Sequence, residues 1–410
     1  MERRDPFDAA TLAEAAHIVS DVRDHGETAL RRHAARLDGL GADEPLVLPR
    51  DELESARAMI PREVCDALSR CAARIRRFAE AQRACLNDLT LEIPGGSAGH
   101  TIQPLGVAGC YAPGGRFPLV SSMLMTVVTA RAAGVEQVWA ASPNPSVEMC
   151  ATAAIAGADA LLACGGAHAI AALAYGVGAP PRCDVIVGPG NRWVTVAKHL
   201  VSSTVRIDML AGPSELLILA DDSAGARLVA ADLLAQAEHD PDARPMLVTT
   251  CESLIAGVNV QLLRQLATLP TRAIAAEALG GGFAVVARDL DEAIVLCERI
   301  APEHVELHVK DADAVATRIR CCGCVFIGSQ TTEAFGDYGA GPNHTLPTGG
   351  TARFVSGLSV SSFLRRQTWL RHDPGSPVPS DYAALARIEG LEAHARSAEL
   401  RNAAGETRTR

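Results

Sequence analysis

No stretch of this chain approaches the roughly 18 consecutive apolar residues that a membrane-crossing helix needs. Excess positive charge is lacking too. The formal net charge is -10, whereas nucleic acid and anionic membrane surfaces are both bound through basic patches. Neither partner is therefore expected, although a local basic pocket for a phosphate-bearing cofactor is compatible with that total. The opening "MERRDPFDAA" is charged and no apolar run follows it, so no signal peptide is expected. The twelve cysteines then read as reduced, mostly buried thiols of a cytoplasmic protein. "CCGC" at 321–324 lacks a second spaced Cys pair and runs into the strand-like "VFIG", which favours core thiols over a metal site. Short repeats and low-complexity tracts are also missing. With 410 residues, 48 % of them hydrophobic and 21 % charged, the chain suffices for two or more domains and a large core.

What is present is a change of texture along the chain. Ala, Leu, Arg and Glu dominate from Thr11 to Leu86, broken near Gly39–Pro49 and at Pro61, and "LEIPGG" at 91–96 ends this helical region. From Val107, strand-like runs such as "VAGCYA", "VEQVWAAS", "ALLACGG" and "CDVIVGPGN" alternate with helical ones, the first closed by Gly134. "PGGRFP" is a loop within this stretch. A second alternating unit starts near Ser214, with "ELLILA", "PMLVTT", "FAVVA", "VELHV" and "CVFIG" as strands. Such alternation is the βαβ pattern of a parallel sheet covered on both faces. After Arg365 come the Pro-rich "DPGSPVPSD", a helix from about Tyr382 to Leu400, and a frayed "RNAAGETRTR". The expected fold is α/β, with two tandem Rossmann-like doubly wound parallel-sheet units, a helical N-terminal region and a helical C-terminal tail. The expected boundaries are 1–106 for the N-terminal region, packing on the second α/β unit, then 107–213, 214–364 and 365–410.

Several segments carry chemistry. In "LLAQAEHD" at 233–240, Gln236 and His239 are three apart and share one helix face, with Asp232 a turn earlier. That face is either a polar surface stripe or a metal or substrate site. "VIVGPGN" ends a strand with glycines that would let the backbone approach a pyrophosphate at the next helix N-terminus. It is not G-x-G-x-x-G and lacks an acidic ribose partner, so a plain tight turn is equally open. "YAPGGR" at 111–116 is a similar bend, with Tyr111 available to stack on a ring. In "APEHVELH", Glu303 and His304 precede a strand. His is the natural general base near neutrality and Glu can hold or activate a water, against the alternative of a solvated loop pair. The Gly/Pro-rich "FGDYGAGPNHTLPTGG" at 335–350 carries Asp337, Tyr338, Asn343 and His344 and reads as a site-lining or ordinary surface loop. His394 lies on the tail helix, where a lone His reads as surface. Gln236, His239, Asp337 and His394 offer O, N, O and N donors suited to Zn2+ or another borderline divalent ion. Their spacing is too scattered for the sequence alone to assemble them.

Taken together, "YAPGG", "CGGAHAIAALAYG", "VGPGN", "IDMLAGPSELLILAD", "DLLAQAEHDPDA", "APEHVEL" and "GDYGAGPNHTLPTGGTARF" resemble the histidinol dehydrogenase family, in that family's order and over nearly the whole chain. The resemblance implies zinc-dependent oxidation of L-histidinol to L-histidine through histidinal, with two NAD, in histidine biosynthesis. Gln236, His239, Asp337 and His394 match the family's zinc ligands, one Zn2+ per subunit. Glu303 and His304 match its catalytic pair. Ser214, His344 and Glu389 match substrate-contacting positions, as do the zinc ligands and His304. Tyr111, His168 and Asn191 match cofactor-contacting positions. The resemblance further implies a homodimer with shared active sites, in which the tail carries Glu389 and His394 to the partner subunit. No Cys nucleophile is required, so Cys110 reads as a small core residue. There are two departures. His168 stands where the family usually has Gln, and "SSFLRRQTWLR" after "GLSV" differs from the commoner ending. They keep open a zinc- and NAD-dependent paralogue for another small polar alcohol, and a non-catalytic nucleotide- or metal-binding protein of the same fold. The retained Ser214, Glu389 and His394 favour histidinol.

Overall fold

The computed structural model describes residues 8–114, 118–373 and 376–406, with side chains as far as 401. Parts of three expected segments, the loop "PGGRFP", "DPGSPVPSD" and the frayed tail, fall outside the described residues. The chain divides into two compact units, Met1–Ala81 with Leu105–Phe363, and Gln82–Pro104 with Leu364–Arg410.

The larger unit begins with α1 (Ala9–Leu37). The Asp8 carboxylate caps it by accepting the Thr11 N–H, and it bends at Gly26, whose φ is 62°. β1 (Val47–Pro49), α2 (Arg50–Met59) and α3 (Arg62–Ala84) follow. The hairpin β2 (Leu89–Ile93) and β3 (Gly96–Pro104) belongs to the smaller unit. Alternation then starts: β4 (Val107–Tyr111), α4 (Val120–Ala133), β5 (Gln137–Ala141), α5 (Val147–Ala156), β6 (Ala160–Leu162), α6 (Gly166–Tyr175), β7 (Val185–Val187), α7 (Arg192–Val201) and β8 (Arg206–Ile207). Gly134 closes α4 at a φ of 92°, in the left-handed region that a side chain would resist. The sheet order is β1-β6-β5-β4-β7-β8, parallel except for β1, which pairs antiparallel with β6. α1 packs on α6 and α7, and α2 on α5, so both cover the first sheet rather than the second. From α3, Cys71 and Arg74 reach the carbonyls of Tyr338 and Gly339.

The second sheet comprises β9 (Glu215–Ala220), α8 (Ala226–Ala237), β10 (Arg244–Thr249), α9 (Glu252–Leu266), α10 (Arg272–Gly281), β11 (Phe283–Val286), α11 (Leu290–Ile300), β12 (His304–His308), α12 (Ala312–Ala316), β13 (Cys324–Ile327) and α13 (Glu333–Asp337). Its order is β11-β10-β9-β12-β13, parallel throughout. Burial on both faces explains the unbroken apolar run of β9. Leu216 and Ile218 pack with Val229 and Leu233 of α8, while Leu217 and Leu219 pack with Val305, Leu307 and Ala293 on the other side. Strand order reverses between β4 and β7 and between β9 and β12, which opens a crevice in each sheet.

In the smaller unit, β14 (Leu364–His372) pairs antiparallel with β3, and β3 with β2. α14 (Ser380–Ile388) and α15 (Glu392–Glu406) replace the single expected tail helix, broken at Gly390 with a φ of 77°. β1, the hairpin, α10, α13 and β14 are all additions to the sequence reading. All twelve thiols are free, as expected, but only Cys110, Cys150, Cys164, Cys183 and Cys297 are buried. The "CCGC" thiols are half-buried, and of the three Cys322 packs against the core of the second sheet. Among the described residues no helix is long and apolar enough to cross a membrane.

Candidate active site

The amino ends of β9 and β12 lie side by side, with Leu216 opposite His304. Glu303 immediately precedes β12. Its Oε2 accepts hydrogen bonds from the Ser214 hydroxyl at 2.6 Å and the Glu215 N–H at 2.9 Å. Burial pushes its pKa well above the usual carboxylate range, and those two hydrogen bonds act the other way. His304 Nδ1 lies 3.1 Å from the Glu215 carbonyl oxygen. A carbonyl only accepts, so Nδ1 carries the proton and Nε2 keeps its lone pair. Burial, opposed by the nearby Asp337 charge, holds the His304 pKa down to about 4, so the ring is neutral at pH 7.

The end of α8 and the short α13 bring further donors. Gln236 is fully buried, and neither of its amide atoms has a hydrogen-bond partner. His239, one turn on, is partly exposed, with Nε2 3.4 Å from Asp337 Oδ2 and 4.0 Å from Glu333 Oε1. Both carboxylate oxygens of Glu333 are buried and unpartnered, and Oε1 is 3.7 Å from His304 Nδ1. One donor atom from each of His239, Glu333 and Asp337 falls within 4.8 Å of the others. Burial, then the charge of Asp337, pushes Glu333 well above its ordinary pKa. Burial acts on Asp337 in the same sense, but contact with His239 and the charges of His344 and His304 outweigh it and hold its pKa to about 2. His344 Nδ1 is 3.0 Å from the Asp337 carbonyl oxygen, and its Nε2 is 3.2 Å from Ser122 Oγ. A divalent cation fits this set. It would relieve the repulsion between buried carboxylates and give the orphaned Gln236 amide a partner, where leaving one buried polar atom unpaired costs about 1–3 kcal/mol.

Ser214, Gln236, His239, Glu303, His304, Asp337 and His344 thus converge on one end of the second sheet. Glu389 and His394 lie on the smaller unit, at the end of α14 and within α15, with exposed side chains. Beneath the cluster is a second one, Asp232, Glu306 and His308. His308 Nε2 is 3.3 Å from Glu306 Oε2 and 3.5 Å from Asp232 Oδ2. Sequence reasoning missed Glu333, Glu306 and His308. Two signals were present: Glu333 and Asp337 are spaced i, i+4, and "HVELH" places three polar side chains on one face of an otherwise apolar strand.

Tyr111 and Asn191 flank the crevice of the first sheet, at the carboxyl ends of β4 and β7. Asn191 Oδ1 accepts the N–H groups of Trp193 and Val194, capping α7. Gly188 has a φ of 120°, and a Cβ there would fall 2.0 Å from the Tyr111 carbonyl oxygen, so only glycine fits the turn. An almost fully buried lysine holds that turn from below. Lys198 Nζ donates to the Gly188 carbonyl at 3.0 Å and pairs with Asp208, whose Oδ2 accepts the Gly188 N–H at 2.7 Å. The Tyr111 ring is packed in the core instead of open for stacking, and its hydroxyl accepts the Gly166 N–H at 3.3 Å. His168 has no exposed surface. Its Nε2 is 2.8 Å from Asp38 Oδ2, which also accepts the Gly165 N–H at 2.9 Å. Asp38 thus links His168 to the Gly165 backbone at the start of α6.

Comparison with known proteins identifies the family. The family model described as histidinol dehydrogenase matches residues 1–402. A histidinol dehydrogenase from Thermus thermophilus is 45 % identical over 399 residues, 96 % of this chain and 95 % of that protein. One from Geobacter sulfurreducens is 43 % identical over 94 % of this chain and 91 % of its own. The crystal structure of histidinol dehydrogenase from Elizabethkingia anophelis matches with a TM-score of 0.91 at 31 % identity, over 98 % of this chain and 94 % of that one. In sequence and in fold alike, the chain belongs to the histidinol dehydrogenase family of NAD-dependent oxidoreductases, enzymes of histidine biosynthesis.

Proposed function

We propose that this chain converts L-histidinol to L-histidine through histidinal in two successive oxidations, each consuming one NAD. Gln236, His239 and Asp337 would hold one Zn2+, with His394 supplied by a second copy of the chain in a homodimer. When bound, the zinc supplies a template and Lewis acid for the substrate's nitrogen atoms, and NAD supplies the hydride acceptor. The observation that carries the reading is the fully buried Gln236, whose unpaired amide stands one turn from the His239–Asp337 contact.

The rest follows from the chain's own groups. His304, its proton fixed on Nδ1 by the Glu215 carbonyl, takes the substrate's hydroxyl proton at Nε2 as the first hydride leaves. Glu303, held in place by Ser214 and the Glu215 amide, draws a proton from the water that adds to the aldehyde, before the second hydride departs. Burial of Glu303 and His304 excludes bulk water, so the aldehyde is kept from side reactions. His344, Glu389 and Ser214 would orient the substrate. Tyr111, His168 and Asn191 would shape the coenzyme crevice, His168 indirectly. The intact pair Glu303–His304 argues against a non-catalytic binder.

NADH formation from L-histidinol by metal-replete protein, against a chelated control, tests this reading. Turnover lost on chelation and restored by zinc is expected. Turnover of a different alcohol but not histidinol would select the paralogue instead, and no turnover of any alcohol would select the binding protein.

A further inference from the structure

We propose that Glu306 is a positioning residue, which sets the height of α13, and with it Asp337 and Glu333, against the end of α8. This rests on the reading of the Gln236–His239–Asp337 group as a metal site. Glu306 sits in the middle of β12, a strand paired on both sides, and is fully buried. A carboxylate in such a place is costly unless its lone pairs are used. Both oxygens are used, one facing α13 directly and the other reaching α8 through His308. Oε1 accepts the N–H of Glu333, the first residue of α13, at 2.6 Å. Oε2 meets His308 Nε2, which also meets Asp232 on α8, one turn before Gln236.

The need for such a clamp lies in α13 itself. Five residues are too few for a helix to hold on its own strength. Its N-cap residue, Thr332, makes no side-chain capping bond, so the cap comes from β12. Asp337 lies one turn beyond the amide that Glu306 holds, and its Oδ2 is the atom facing His239. The reach of the Glu306 side chain therefore fixes where Asp337 stands relative to His239. Asp232, on the same side of α8 as Gln236, is the far anchor of this clamp, reached through His308.

The test separates reach from charge. Glu306→Gln keeps the reach and an accepting oxygen but removes the charge, whereas Glu306→Asp keeps the charge and withdraws the carboxylate by one methylene. Full-length protein stripped of metal is titrated with Co2+, read by visible absorption, with Zn2+ affinity measured by competition and the melting temperature of each metal-free form recorded. Glu306→Asp is expected to bind both ions at least about tenfold more weakly, in the range typical when groups behind a metal's ligands are altered, with a changed cobalt spectrum. Glu306→Gln is expected to stay within about threefold of the unaltered protein and to keep its spectrum. Unchanged affinity and spectrum in Glu306→Asp, with only a lower melting temperature, overturns the inference. So does a Glu306→Gln variant as weak as Glu306→Asp. Should Glu306→Asp not fold, His308→Gln, which breaks the link to α8, is expected to show the same loss, and unaltered binding there is equally fatal. If the unaltered protein takes up no Co2+ or Zn2+, the metal reading itself fails. Tight binding by the unaltered protein with no effect of the variants defeats the clamp alone.

Discussion

Oε2 of Glu303 accepts the Ser214 hydroxyl at 2.6 Å, so the residue assigned to the water step, just before β12, is anchored by the residue just before β9. Replacing it as a base should separate the two half-reactions. Glu303→Gln is expected to slow aldehyde oxidation by about 100-fold or more, the scale of a lost general base, while alcohol oxidation falls much less. Single-turnover measurements starting from histidinol and from histidinal read this directly, and equal losses would reassign the residue.

Metal removal should cost stability as well as activity. An ion that binds only the folded state, present at about a thousandfold over its Kd, stabilises by about 4 kcal/mol. Calorimetry with and without chelator should therefore show a clear fall in melting temperature. Gln236 sharpens the test. Its buried amide has no partner in the protein, so Gln236→Leu is expected to stabilise the metal-free form by about 1 kcal/mol while weakening metal uptake. A metal-free variant less stable than its parent would mean that the amide is satisfied in some other way.

Below the first crevice, Lys198 and Asp208 are both almost fully buried. Lys198→Met leaves Asp208 as an uncompensated interior charge, and a loss of about 3–5 kcal/mol is expected in chemical denaturation. Because the pair holds both backbone groups of Gly188, NAD affinity should fall as well, measurable by fluorescence titration of protein that is still folded.

Asp21 gives a pH signature. Its carboxylate binds Arg32 and lies 2.7 Å from His33 Nε2, tying together the two halves of α1 across the Gly26 bend. The Arg32 hydrogen bond, with help from His33 and against some burial, lowers its pKa from 3.8 to about 2. A carboxylate with a depressed folded pKa contributes stability that is fully present above its unfolded pKa and lost as the pH falls through the folded one. Asp21→Asn should therefore melt below the parent at pH 6, and the gap should narrow by pH 3. A gap that is constant with pH would show that the contribution is packing, not charge.

Much of this architecture is legible in the sequence because parallel strands buried on both faces are short aliphatic runs, and because glycines such as Gly134 close the helices between them. The hairpin β2–β3 and strand β14 are not legible in that way. Leu89, Leu91 and Leu370 are exposed, so these strands lack the alternation that marks a half-buried sheet. α13 is hidden for a different reason: a five-residue helix containing glycine has no periodicity to detect, and it exists because β12 caps it. The donor set was readable as residue types, but the polar face of "HVELH" shows that strand register, rather than sequence spacing, brings α8, β12 and α13 to one place. Glu333 is not legible because it stands two residues before the Gly/Pro-rich stretch 335–350 and only α13 brings it beside Asp337.

The pairing of β3 with β14 has a consequence for synthesis. Both strands of the hairpin leave the ribosome long before the strand that completes their sheet. Until then one edge of β3 lacks its partner strand. A chain halted before Leu364 would therefore hold β2 and β3 without the strand that completes their sheet.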